Sequence, residues 1–136
     1  LLGPAKHPGD SGVAAAHRAL ETVGLLEQSN LSASELPLPL RRRLEIARAL
    51  ACDPKVLILD EPAGGMTPAE TAGISELIRS RIAPGRTCVV IEHKMDLISH
   101  VCEHLCVLNH GEKIAEGDPR SVVRQPEVIE AYLGRA

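Results

Sequence analysis

Along this chain the spacing of apolar positions changes several times, and each change marks a boundary between predicted elements. Residues 1 to 12 hold Gly3, Pro4, Pro8, Gly9 and Gly12 without a periodic apolar face, and read as an irregular lead-in. Ala16, Leu20 and Val23 then recur at helical spacing, with Gly24 placed to end that helix. Residues 27 to 35 are polar and loop-like. From Leu40 to Cys52, the positions Leu40, Leu44, Ala47 and Ala51, with Ile46 and Leu50 beside them, form one stripe opposite Arg41, Arg42, Glu45 and Arg48. Asp53-Pro54 closes this second helix, because the residue before a proline avoids the helical region.

The run Val56-Leu57-Ile58-Leu59 is short and wholly apolar, as a strand buried by helices should be. A Gly-rich turn follows, Ala63-Gly64-Gly65-Met66. Thr67-Pro68-Ala69-Glu70 then combines a Thr N-cap, Pro at the first helical position and Glu at the place that completes a capping box. That helix is predicted to reach about Arg81, where Pro84-Gly85 breaks the pattern. A second apolar strand, Cys88 to Ile91, leads into a helix from about Met95 to His100. Leu105 to Asn109 and Lys113 to Glu116 read as two strands joined at His110-Gly111. Asp118-Pro119 and Gln125-Pro126 each place a proline at the start of a small terminal helix.

Composition narrows this picture. With 136 residues, the size is that of one domain with a single core. Phe and Trp are absent and Tyr132 is the only tyrosine, so the core must be built from Leu, Ile, Val, Ala and Cys. A net charge of −3 and the lack of a basic tail argue against a nucleic-acid partner. No apolar run approaches the roughly 18 to 20 residues needed to cross a bilayer, and no signal segment opens the chain, so direct membrane insertion is not expected and a soluble cytoplasmic protein is. Cys52, Cys88, Cys102 and Cys106 lie mostly in apolar contexts and read as reduced core residues. The cluster His100, Cys102, His104 and Cys106 offers zinc-type ligands, but its spacing is wrong for a zinc site and no second Cys pair faces it; ordinary packing is the better account.

Chemistry is concentrated where the first strand ends, at Asp60-Glu61. An exposed acidic turn after a buried strand would explain the pair. The topology favours a site. Strand, helix, strand at this spacing is a βαβ unit with a right-handed crossover, so both strands point the same way and their C-terminal ends share one edge. That edge is where open α/β sheets bind ligands, and it carries Asp60, Glu61, Glu92 and His93.

With these residues the chain resembles the ATP-binding subunits of ABC transporters over almost its whole length. Residues 41–62 look like the helix after the ABC signature joined to the Walker B strand. Residues 63–71 look like the D-loop and the helix after it, residues 89–98 like the switch strand and its histidine, and residues 107–134 like the tail of branched-chain amino-acid importers. The resemblance implies an α/β fold, the C-terminal half of an ABC ATPase cassette, with a short helical segment followed by a mostly parallel sheet flanked by helices. Residues 1–52 would be part of the helical signature subdomain and residues 53–136 part of the ATP-binding core.

By the same resemblance ATP and Mg²⁺ are the implied ligands. Asp60 would hold Mg²⁺ through water, Glu61 would be the catalytic base, His93 would contact the γ-phosphate, and Gly65, Met66 and Thr67 would meet a second ATP-binding subunit. Transmembrane permease subunits are the other implied partners, on the inner face of the plasma membrane. The chain departs from the family twice. It contains no GxxxxGK[ST] phosphate loop and no Q-loop glutamine, so by the resemblance it starts within the helical subdomain, after both. Where the family carries a signature such as LSGGQ, it reads Leu36-Pro37-Leu38-Pro39-Leu40, which lacks the serine hydroxyl and glycine N–H groups that hold the opposite subunit's nucleotide. Arg41 to Arg43 either supply some positive potential there or form a solvated basic face. The implied function is the ATP-hydrolysing part of a branched-chain amino-acid importer; the alternative is a truncated, inactive module that only docks or dimerises. In either case unpartnered sheet edges and an open apolar face are expected to make the isolated chain poorly soluble or oligomeric.

Overall fold

The computed structural model describes residues 12–133; residues 1–11, which hold most of the proposed lead-in, and residues 134–136 lie outside the described residues. Six α-helices and four strands are present among the described residues: α1 (Gly12–Val23), α2 (Leu38–Leu50), β1 (Val56–Asp60), α3 (Pro68–Leu77), β2 (Thr87–Ile91), α4 (Met95–Val101), β3 (Leu105–Asn109), β4 (Glu112–Gly117), α5 (Pro119–Val122) and α6 (Pro126–Leu133). They pack as two compact units, one running to Ile91 and the other starting at Glu92.

In the first unit α1 packs on α2. The segment between them is not a plain loop: it holds two short 3₁₀ turns, Leu26–Gln28 and Ala33–Glu35. The second of these is closed by a Ser32/Glu35 capping box in which Ser32 N–H donates to Glu35 Oε2 at 2.8 Å. The expected stripe on α2 is partly realised, with Ile46 and Ala47 buried. The solvated basic face is not realised at two of its three positions. Arg43 Nη1 donates to the carbonyl of Val23 at 3.3 Å, at the C-terminal end of α1, where a cation meets the negative end of the helix dipole. Arg42 Nη1 reaches Glu45 at 2.9 Å, and its Nε is buried. Of the three, only Arg41 is exposed. Long aliphatic stems let arginines cover apolar surface, which a count of charges along a helix cannot register.

The start of α3 is built as the sequence predicts. Thr67 N–H donates to Glu70 Oε2 at 2.8 Å, Glu70 N–H donates back to Thr67 Oγ1 at 3.4 Å, and Pro68 takes the first helical position. After Leu77 the helix widens into a π-turn over Ile78–Ile82, in which Ala83 N–H donates to the carbonyl of Ile78 at 2.8 Å. Ile74, Ile78 and Ile82 follow one another at intervals of four and are all at 0% exposure, forming an apolar spine through the change of helix type. Arg86 Nη1 donates to the Ile82 carbonyl at 2.7 Å and closes the end.

β1 and β2 are parallel, in register from Val56 opposite Thr87 to Asp60 opposite Ile91. Leu57 and Leu59 are buried. The opposite face is open: Val56, Ile58, Val89 and Ile91 are 45–63% exposed. The apolar runs suit strands covered on both faces, and this exposed side is the open apolar face expected of a chain that resembles about half a cassette. The mostly parallel sheet is corrected to two separate pairs, one parallel (β1–β2) and one antiparallel (β3–β4).

In the second unit β3 and β4 form a hairpin with a register shift between Val107 and Leu108. Its two-residue turn places His110 at φ 49° and Gly111 at φ 84°, the pair of positive values that a tight hairpin with right-handed twist requires. Ala115, Val122 and Val128 form its buried cluster, with Leu105, Val107 and Ile114 packed against it. Asp118 caps α5 by accepting from Ser121 N–H at 3.1 Å, as the Asp-Pro pair predicts.

The cysteines are not core residues as a group. Cys52 and Cys106 are exposed, while Cys88 and Cys102 are half-buried. Cys52 falls in the turn after α2, and Cys106 points outward from β3, since alternate strand positions face opposite sides. Burial raises the thiol pKa of Cys88, against a smaller opposing effect of Arg86, and burial alone raises that of Cys102. A raised pKa leaves less thiolate at any given pH. Near about pH 8, iodoacetamide should therefore modify Cys52 and Cys106 before Cys88 and Cys102. Peptide mass mapping over time reads the order, and equal rates at all four would refute it.

Candidate functional site

Asp60 closes β1 on the same side of the strand as Val56 and Ile58, and lies opposite Ile91 in the register. Its carboxylate is thus exposed on the open face of the β1–β2 pair. Glu61 leaves the strand sharply, at φ 44°, an unusual left-handed conformation for a residue with a side chain. Two hydrogen bonds hold it there: its N–H donates to the carbonyl of Ile91 at 2.9 Å, and its carbonyl accepts from Gly64 N–H at 2.9 Å. The acid pair is therefore fixed by the end of the sheet and by the turn after it, with both residues exposed.

That turn meets the N-terminus of α2. Arg42 Nη2 approaches the Gly64 carbonyl at 3.5 Å. A Cβ at Gly65 would lie 3.1 Å from Leu38 Cδ2, and Gly65 has φ +76°, so both space and backbone conformation call for glycine. Gly65 is exposed, Met66 is buried at 7%, and Thr67 is engaged in the α3 cap. Pro37 is the N-cap of α2 and Pro39 lies in its first turn. Pro37 supplies no side-chain cap, but its carbonyl accepts from Leu40 and Arg41 N–H, both at 3.0 Å. The prolines thus sit where a helix tolerates them.

His93 belongs to the second unit, two residues past the end of β2. Its imidazole is 61% exposed, with Nδ1 3.5 Å from Glu92 Oε2. The Glu92 side chain is wholly buried, and its Oε2 accepts from His93 N–H at 2.9 Å and from Lys94 N–H at 3.2 Å. On the far side of the histidine, the Tyr132 hydroxyl donates to the His93 carbonyl at 2.7 Å. Sequence reasoning gave Tyr132 no role. The available signal was that a chain almost free of aromatics keeps one ring with a hydroxyl.

No three metal-ligating side chains come together among the described residues. In the former zinc candidate, His104 Nε2 lies 3.0 Å from Glu116 Oε1. Lys113 also bonds Glu116, and these two partners, Lys113 foremost, hold the Glu116 carboxyl below its ordinary range. A full metal cage is not what Mg²⁺ requires, since that ion usually takes one or two carboxylates, several waters and phosphate oxygens. Asp60, exposed and at a strand end, fits that partial demand. No helix among the described residues is long and apolar enough to cross a membrane.

Comparison with known proteins bears on the class. Residues 9–64 match the ABC transporter family, and residues 112–136 match the family described as branched-chain amino acid ATP-binding cassette transporter. A crystal structure of the ADP conformation of MJ1267, an ATP-binding cassette of an ABC transporter, superimposes with a TM-score of 0.83 at 32% identity, covering 94% of this chain and 52% of that one. The chain belongs to the ATP-binding subunits of ABC transporters. It is 44% identical over 118 residues to the high-affinity branched-chain amino acid transport ATP-binding proteins LivG of Escherichia coli and BraF of Pseudomonas aeruginosa. Both alignments cover 86% of this chain and 46% of the relative, so the chain spans about half the length of the curated relatives it matches. A Nod factor export ATP-binding protein of Rhizobium johnstonii is 41% identical over 118 residues, so identity alone separates the transported substrates weakly.

Proposed function

We propose that this chain carries the hydrolytic carboxylates, the D-loop and the switch histidine of an ATPase that drives branched-chain amino-acid import, as the C-terminal half of a cassette. In this reading residues 1–52 contribute to the helical signature subdomain and residues 53–136 to the ATP-binding core. The observation that supports it most is the placing of Asp60 on the open face of the β1–β2 pair, with Glu61 fixed next to it. A phosphate-cradling loop, which this sequence lacks, has room to approach the carboxylate over that face.

Asp60 would hold Mg²⁺ through water, and the ion would supply neutralising charge at the phosphates. Glu61 accepts a proton from the attacking water, and the His93 imidazole donates to the γ-phosphate oxygens as charge develops. Gly65, Met66 and Thr67 belong to the loop that meets a second ATP-binding subunit, with Gly65 and Thr67 as its exposed members. Permease subunits on the cytoplasmic face of the membrane are the remaining partners.

Joining this chain to the N-terminal half of a branched-chain relative tests the reading. The joined protein should hydrolyse ATP, and Glu61→Gln should lower the rate about a hundredfold or more. An unchanged rate would reject Glu61 as the base. The second reading, a module that docks or dimerises without turnover, is favoured by Pro37 and Pro39 in place of the signature. In the same joined protein, Pro37→Ser with Pro39→Gly should strengthen ATP-dependent dimerisation. No gain would show that the prolines are not what weakens the contact with the opposite subunit.

A further inference from the structure

We infer that Tyr132 is a positioning residue for His93, and that α6 fixes the backbone from which that histidine is presented. The assignment of a catalytic task to His93 rests on the function proposed above; the clamp itself does not.

Both backbone polar groups of His93 are held. Its N–H donates to the buried carboxylate of Glu92 at 2.9 Å, and its carbonyl accepts from the Tyr132 hydroxyl at 2.7 Å. The Glu92 oxygen also takes the next N–H, that of Lys94, so consecutive peptide groups are fixed at the entry to α4. A residue tied at both its N–H and its C=O has little freedom in either backbone dihedral. Its side chain is then delivered from a fixed Cα. The imidazole is 61% exposed, with Nδ1 3.5 Å from Glu92 Oε2, and the backbone beneath sets where it is presented.

The clamp is anchored. Val128, at 2% exposure, belongs to the cluster with Ala115 and Val122. Tyr132 lies four residues further along α6, hence on the same side of the helix. The ring is half exposed, so burial alone does not account for an aromatic at this place; the hydroxyl makes the cross-link. Residues 112–136, which include Val128 and Tyr132, are also the segment matched by the branched-chain family. That segment therefore reaches the histidine, and a change in α6 has a direct route to it.

Tyr132→Phe removes the hydroxyl and keeps the ring. In this chain, hydrogen exchange at the His93 and Lys94 amides should accelerate about three- to tenfold, as expected for loss of one hydrogen bond that competes with water, while amides of the β3–β4 hairpin keep their rates. Unchanged exchange at His93 and Lys94 would overturn the clamp, and so would equal acceleration across the hairpin, which would mean general loosening. In the joined protein, kcat should fall about three- to tenfold with KM for ATP unchanged. Faster exchange with unchanged kcat would refute the positioning role. His93→Ala is the control that separates the two readings: if it leaves hydrolysis intact, the catalytic role given to His93 falls and the positioning role with it, whereas the exchange result still decides the clamp.

Discussion

Ile58→Lys combined with Val89→Lys is expected to convert an associating chain into a monomer. The two residues lie opposite each other in the β1–β2 register, are 63% and 45% exposed, and sit between Val56 and Ile91 on the open face. Burying one such side chain is worth about 1.5–3 kcal/mol, so a second copy that covered this face would gain several kcal/mol. The two-stranded pair also has edges that can recruit another strand. Charges at the centre of the patch remove the first gain and make close approach of two copies repulsive. Size-exclusion chromatography with light scattering should show the unaltered chain above its monomer mass and the double variant at it. A monodisperse monomer for the unaltered chain would sink the idea.

Ile74→Ala is expected to have the largest effect on folding. Ile74 is at 0% exposure in the middle of α3, aligned with Ile78 and Ile82, which are equally buried. Truncating such a residue removes its transfer free energy and leaves a cavity, at a cost of about 2–5 kcal/mol. Folded domains rest on a margin of about 5–15 kcal/mol, so the variant should lose a large part of its stability. Thermal unfolding by circular dichroism should fall by about ten degrees or more. Ile58→Ala makes the contrast: the same chemical change at a 63% exposed position should shift stability by no more than about 0.5 kcal/mol. Similar effects for the two would mean that the spine is not a packing core.

The sequence announced those features that local chemistry decides. The capping box at Thr67, the Asp118-Pro119 start of α5 and the His110-Gly111 turn are each set by residues within four positions of one another, and all three form as expected. The π-turn at Ile78–Ile82 was not legible, because apolar positions at intervals of four read as continuous α-helix whether or not one turn widens. An open apolar face was expected, but which face of the strands it would be was not legible, for a different reason. An apolar run reports that a strand suits burial on both faces, but whether anything lies over each face depends on segments far away in sequence. Of the candidate site, Asp60 and Glu61 were legible as an acid pair at a strand end. The left-handed turn that presents Glu61 was not, since Glu is a poor indicator of positive φ. Tyr132 was invisible for the plainest reason: its partner carbonyl is 39 residues away, and backbone carbonyls leave no mark on a sequence.

The division of the molecule at Ile91 and Glu92 bears on how such proteins can be recombined. The break falls between β2 and the loop that follows, so Glu92 and His93 fall in the unit that holds the hairpin and α6. A crossover at this point, in the laboratory or in a genome, would transfer Glu92, His93 and Tyr132 as one inherited block. A crossover between His93 and Tyr132 would pair a histidine from one lineage with a tail from another, and the hydroxyl would have to find its carbonyl by chance.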